Sequence, residues 1–201
     1  MLDSEAVKSK RATGVLQGQR ILVLGACCGF GRSISRALGA SGAQVVASDT
    51  NAKGLNTLKA VVPLPLKGEP KDALRRIGRA WGETRLDAVL NLMPLRHPEQ
   101  IDLNLAVLQS LVQGFMPALS ARDGQIISVV ARPDQALEVA SGAMAPALSS
   151  AQAAFADTLK RDGLSLNMVT VGEGAVKPAH TAVVGLLAKT LGPLTGAELR
   201  L

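Results

Sequence analysis

The chain has 201 residues, 47% hydrophobic and 19% charged, with a formal net charge of +6. That is apolar enough for one large core and not charged enough for disorder. Aromatic residues make up 2% and tyrosine is absent, so the basic surplus lacks the stacking side chains of a nucleic-acid binder. The apolar runs are strand-sized, short of a membrane span. Met1 to Lys10 mixes Asp3 and Glu5 with Lys8 and Lys10 and reads as neither signal nor transit peptide. Residues 1–17 are expected to form a flexible arm, and 18–201 a single domain of a cytoplasmic protein. Cys27 and Cys28 are adjacent and are the only cysteines, so no disulfide frame or cysteine metal cluster is expected. No metal site is expected elsewhere.

In chain order, the apolar run Ile21–Leu24 predicts a first strand ending at Gly25. A glycine-rich turn follows, Gly25-Ala26-Cys27-Cys28-Gly29-Phe30-Gly31, and a helical pattern from Arg32 to about Ser41. Val45-Val46-Ala47 predicts a second strand ending at Asp49. Residues 51–60 read as a short helix. Residues 61–66 read as a third strand, whose two prolines argue for an edge position. Leu74, Ile77 and Trp81 mark the apolar face of a helix over 70–82. Leu86–Asn91 is the fourth strand, Glu99–Ser120 a long helix, and Gly124–Val130 the fifth strand. An Ala- and Ser-rich helix spans Ala143–Arg161 and a sixth strand Leu164–Val171. Residues 173–179 read as a plain loop, Thr181–Thr190 as a helix, and Leu194–Leu201 as a turn and last strand. Strands alternating with helices mean a parallel sheet covered on both faces.

The order strand, glycine turn, helix, strand, acid is that of a dinucleotide-binding βαβ unit. Gly25 lets the chain leave the strand sharply. Gly29 lets a pyrophosphate approach the backbone, and Gly31 lets the helix pack closely. The N–H groups at the helix start then face the phosphate charge. Asp49 is placed to accept hydrogen bonds from the adenosine ribose hydroxyls and to repel a 2′-phosphate, which favours NAD(H) over NADP(H). Cys28, Phe30 and Asn91 complete the expected nucleotide site. A thiol at a helix start is also open to a lowered pKa and a redox role.

From about Gln17 onward the chain resembles the short-chain dehydrogenase/reductase family. Gly25-x-x-x-Gly29-Phe30-Gly31 is similar to the family's glycine motif, and Leu86–Asn91 to its stretch ending in Asn-Asn-Ala-Gly. Asn104 resembles its structural and catalytic asparagine. Gly124-Gln125-Ile126-Ile127, Val171-Gly172 and Leu194-Thr195-Gly196 resemble later landmarks in the correct order. The resemblance implies a doubly wound, Rossmann-like, three-layer αβα domain with strand order 3-2-1-4-5-6-7. It also implies hydride transfer through a Tyr, a Lys and a Ser, and here the sequence departs. With no tyrosine the usual proton donor is absent. The alignment puts Leu148 at the Tyr position, Gln152 at the Lys position, and Val130 and Ala131 at the Ser pair. Asn104 alone remains of that set, so no catalytic residue is assigned. The segment from Gly172 to His180, a substrate lid in the family, is much shortened. His97, in the loop after the fourth strand, is a candidate substitute acid. His180 reads as structural.

The expectation is therefore a non-catalytic, reductase-like subunit that holds NAD(H). It would assemble with itself or with an active relative through the helices 99–120 and 143–161, with neither nucleic acid nor membrane as partner. Leu103, Val107 and Leu119 read as apolar positions to spare on the long helix. The alternatives are an NAD(H)-dependent oxidoreductase with a non-standard proton donor or a partner-completed site, and a regulatory binding module.

Overall fold

A computed structural model describes residues 14–133 and 139–201. Among these residues the strands are β1 (Arg20–Leu24), β2 (Gln44–Asp49), β3 (Val62–Pro65), β4 (Ala88–Asn91), β5 (Gln125–Ala131), β6 (Ser165–Val171) and β7 (Glu198–Arg200). The helices are α1 (Gly29–Ala40), α2 (Ala52–Leu55), α3 (Pro70–Trp81), α4 (Met93–Arg96), α5 (Ile101–Ser120), α6 (Val139–Arg161) and α7 (Val176–Leu187). The strands form one sheet in the order β3-β2-β1-β4-β5-β6-β7, with every pair parallel. This is the expected doubly wound order, with the proline-bearing strand at one edge.

Strand side chains alternate between faces, and the sheet divides the core accordingly. Leu22, Leu24, Val89, Ile126 and Val130 pack with Leu74 of α3, Leu111 and Phe115 of α5, and Met144 and Leu148 of α6. Ile21, Val23, Leu90, Ile127 and Val129 pack on the other side with Ile34 and Leu38 of α1 and Val183 and Leu187 of α7. Helices α3 and α5 cross closely: a Cβ on Gly78 would lie 2.4 Å from the Gly114 carbonyl oxygen. Beside that crossing, Trp81 meets Phe115 edge to face at 5.7 Å.

Several boundaries differ from expectation. α1 begins at Gly29, not Arg32, because the Cys28 side chain caps it through the Gly31 N–H. The helix over 51–60 shrinks to Ala52–Leu55, after which Thr57 and Leu58 turn back onto the Gly54 and Leu55 carbonyls. The stretch after β4 holds the short helix α4, with a proline in its first turn. α7 starts at Val176, so the connection after β6 is only Gly172–Ala175. Leu16, expected on the arm, is fully buried, and its N–H donates to the Ser41 carbonyl. By length and composition α5 would also pass for a membrane span. Here Val107, Leu111, Phe115 and Leu119 are fully buried in the core. Val107 and Leu119 are therefore not spare surface.

Candidate functional site

The strand order reverses between β1 and β4, and ligands of such sheets lie in the crevice beyond the carboxyl ends there. β1 sits between β2 and β4, so the turn 25–31 forms the floor of that crevice. Its three glycines have three different surroundings. Gly25 has φ +81°, a conformation that favours a residue without Cβ, and a Cβ there would stand 3.3 Å from Leu92. Gly31 lies against the turn itself: a Cβ there would stand 2.7 Å from the Ala26 oxygen and 2.8 Å from the Gly25 oxygen. At Gly29 a Cβ would meet nothing within 4 Å. The last position is open, while Gly25 and Gly31 are held by the fold itself.

Most N–H groups of the turn are already committed. Gly25 and Ala26 donate to the Ser48 carbonyl at 2.9 and 3.2 Å, and Cys28 to the Gly25 carbonyl at 3.4 Å. Cys27 donates to Asp49 Oδ2 at 2.9 Å, and Gly31 to Cys28 Sγ at 3.2 Å. Gly29 and Phe30 N–H have no acceptor among the described residues. These two donors stand at the start of a twelve-residue helix, where the helix dipole favours an anion.

The two cysteines are structural. Cys28 is the cap. The Cys27 thiol is pushed up by burial first and by the Asp49 carboxylate second, with Arg32 and Arg96 only partly opposing. The redox reading, which needs a lowered pKa, is corrected for Cys27.

Asp49 stands at the end of β2 as expected, but in different company. Its side chain is fully buried. Oδ1 accepts from Asn51 N–H at 2.8 Å and Oδ2 from Cys27 N–H. Arg96 Nη1 bridges both oxygens at 2.5 and 2.6 Å. Burial raises the Asp49 pKa, but the Asn51 and Cys27 N–H groups and the Arg96 guanidinium outweigh it and hold the carboxyl below its ordinary range. A carboxylate offers about four acceptor sites, and these bonds engage both oxygens. The free ribose acceptor expected at Asp49 is not present, and the NAD preference built on it loses its basis. Arg96 comes from the β4 side, so its ion pair with Asp49 passes over the β1 turn. Sequence reasoning chose the neighbouring His97 instead, because a titratable imidazole reads as chemistry while an arginine in a loop reads as solvated.

Asn91 is fully buried. Its Oδ1 accepts from Met93 N–H at 3.2 Å and its Nδ2 approaches Ser128 Oγ at 3.4 Å. It shapes the start of α4 from within the core. Asn104 Nδ2 donates to the His97 and Gln100 carbonyls, both at 2.8 Å, so it clamps the entry of α5 rather than facing the rim chemistry. His97 has its carbonyl in that clamp, and no hydrogen bond of its imidazole is found among the described residues. His180, on α7, packs edge to face on Phe30 at 4.8 Å, with Nε2 3.0 Å from Ser33 Oγ. Ser33 Oγ is also 2.9 Å from the Phe30 carbonyl and donates its proton there. Ser33 therefore accepts from an Nε2–H imidazole. Burial lowers the His180 pKa, consistent with a neutral packing role beside the turn.

The far side of the rim corrects the expected alignment. Gln152 Nε2 approaches the Asn167 carbonyl at 3.4 Å, four residues short of Val171 at the end of β6. α6 runs down as β6 runs up. At about 3.3 Å per strand residue and about 1.5 Å per helix residue, the rim lies about nine helix positions before Gln152. Leu148 and Gln152 are therefore core positions below the rim, and Leu148 is fully buried. Ser141, 8% exposed, continues the buried face through Met144, Leu148, Gln152 and Leu159 and reaches rim level. That i, i+3, i+7 spacing was present in the sequence and would have found Ser141. On β5, Val130 is fully buried and Ala131 ends the strand. A separate cavity of about 480 Å³, lined by Gln125, Ser165, Lys189 and Thr195 among others, opens at the amino-terminal edge of the sheet, away from the turn. No group of three or more metal-ligating side chains occurs among the described residues.

No protein-family model matches the chain, and no curated protein matches its sequence. Solved structures do. The RhlG/NADP active-site complex of Pseudomonas aeruginosa superposes with a TM-score of 0.76 at 16% identity, covering 92% of this chain and 95% of that one. A glucose/ribitol dehydrogenase of the short-chain dehydrogenase/reductase type from Brucella melitensis gives 0.75 at 17%, covering 94% and 97%. An oxidoreductase of the short-chain dehydrogenase/reductase family from Burkholderia thailandensis gives 0.73 at 21%, with 90% of each chain covered. At these identities the likeness speaks for architecture, and the chain has the short-chain dehydrogenase/reductase fold.

Proposed function

We propose that this chain is a non-catalytic, reductase-like subunit that holds a nicotinamide dinucleotide and works within an oligomer. One observation supports the proposal: open space at Gly29 stands at the same sheet edge as the end of β5 and the start of α6, where the described residues Ala131 and Val139–Met144 include neither tyrosine nor lysine. The phosphate cradle would be that space with the unpaired Gly29 and Phe30 N–H groups. At the rim, Ala131 ends β5 and Ser141 and Met144 head the buried face of α6. A serine hydroxyl without a basic partner is a poor proton donor near neutrality, and the chain has no tyrosine.

A bound dinucleotide would supply hydride chemistry. The turn would hold its pyrophosphate, with the start of α1 providing the dipole. The short connection Gly172–Ala175 leaves little chain to exclude water over the nicotinamide. Assembly with a second copy or an active relative is supported by the outer face of α6, where exposed Val139, at 78%, lies on the same helix as exposed Ala140, Ala153 and Ala154. Small side chains there permit close helix approach. The preference for NAD(H) is not carried into this reading, because Asp49 is ion-paired.

Native mass spectrometry of the chain purified from its own host tests the proposal. The expected result is an oligomer, of this chain or with a related reductase, carrying a dinucleotide. A bare monomer without nucleotide contradicts it.

A further inference from the structure

We infer that Arg96 makes the adenosine end of the crevice selective for a 2′-phosphorylated dinucleotide, NADP(H) rather than NAD(H). The inference rests on the dinucleotide reading above and specifies which dinucleotide is held.

A ribose diol is recognised by an acceptor that takes its hydroxyl protons. Asp49 is the acid in position to do so, but its side chain is fully buried and both oxygens are engaged by Cys27, Asn51 and Arg96. NAD would have to displace the guanidinium before finding that acceptor. A 2′-phosphate needs donors instead, and Arg96 offers them. Only Nη1 touches Asp49. Nε and Nη2 have no acceptor among the described residues, and the side chain is 27% exposed. The Nε–Nη2 edge is the side of a guanidinium that matches two phosphate oxygens at once.

The surrounding charge points the same way. Arg96 cancels Asp49, the repulsive group in the opposite reading. Arg32 stands on the same side of the turn, with Nε on the Cys27 carbonyl at 3.1 Å and Nη1 on Thr57 Oγ1 at 2.9 Å. Lys53 is exposed on α2, two residues beyond Asn51. The balance of Asp49, Arg96, Arg32 and Lys53 is thus positive. Arg96 also crosses from the β4 side to the end of β2, which sets it over the stretch of crevice where the adenosine ribose would lie.

The test is calorimetric titration of the full chain with adenosine 2′,5′-bisphosphate and with adenosine 5′-monophosphate, which probe the adenosine half alone. The bisphosphate is expected to bind at least about tenfold more tightly, with the advantage shrinking as salt rises. In Arg96→Gln the ratio should fall to one or below, because the phosphate loses its cation while Asp49 becomes free to accept the diol and to repel the phosphate. Equal affinities in the unsubstituted chain, or tighter monophosphate binding, overturn the inference and leave the dinucleotide reading standing. Silence with both probes also overturns this inference, while titration of the same chain with NADPH and NADH, which carry the pyrophosphate, decides the dinucleotide reading separately. The unsubstituted chain decides the matter even if Arg96→Gln does not fold.

Discussion

Replacing Gly29 with Ala separates a glycine kept for a ligand from glycines kept for the fold. Gly29 is the first residue of α1, and an added Cβ meets nothing within 4 Å. Its φ is not in the left-handed region. Ala is the better helix former by up to about 1 kcal/mol, less at a helix end. The variant should be unchanged or up to about 1 kcal/mol more stable, a rise of about 0–4 °C in melting temperature at this chain length. Gly31→Ala is the counterpart. Its Cβ would lie 2.7 Å from one carbonyl oxygen and 2.8 Å from another, so the start of α1 must retreat by about 0.7 Å. Overpacking of that kind costs about 1–3 kcal/mol, or about 2–12 °C. In ligand binding the ranking is different. The Gly29→Ala methyl group lies where the Gly29 and Phe30 N–H groups are open, and it should weaken dinucleotide binding at least about tenfold, or about 1.4 kcal/mol. Thermal melting and calorimetry on the same samples read both quantities. A Gly29→Ala protein that binds as well as the parent, or that melts as low as Gly31→Ala, would refute the assignment of the cradle.

Acid should act through the ion pair at the turn. The folded Asp49 carboxyl sits below its unfolded value of about 3.9, so the stability it contributes is present above about pH 4 and is lost as pH falls through the folded pKa. Denaturant midpoints across the acid range should therefore fall less steeply in Asp49→Asn than in the parent; identical slopes would show that the pair does not matter. Cys27, with its thiol pushed up by burial and by Asp49, should react more slowly with a disulfide reagent at neutral pH than a free cysteine does. The Cys28→Ser background suits this assay, since a serine oxygen also caps a helix. Reaction at the rate of a free thiol would contradict the described setting of Cys27.

The sheet order was legible because it follows from local rules. Apolar runs of strand length alternate with helical periods, and Gly25 to Gly31 falls between the first pair. The α1 boundary was missed because a cysteine is not among the usual capping residues, yet Cys28 caps through sulfur. The state of Asp49 was not legible either. Its partner Arg96 is 47 residues away in sequence, and only the pairing of β1 with both β2 and β4 brings them together. The misplaced Leu148 and Gln152 show the complementary error. Both lie on the buried face running from Ser141 to Leu159, and only the contact of Gln152 with the Asn167 carbonyl shows how far below the rim they stand.

The central claim is best tested by following reduced coenzyme in one sample, with its fluorescence reporting binding and its absorbance reporting consumption. NADPH should bind saturably to the purified chain and remain unconsumed across a broad panel of ketones and aldehydes. Steady NADPH consumption with any of those carbonyls, abolished by Gly29→Ala, would show a working reductase and contradict the account.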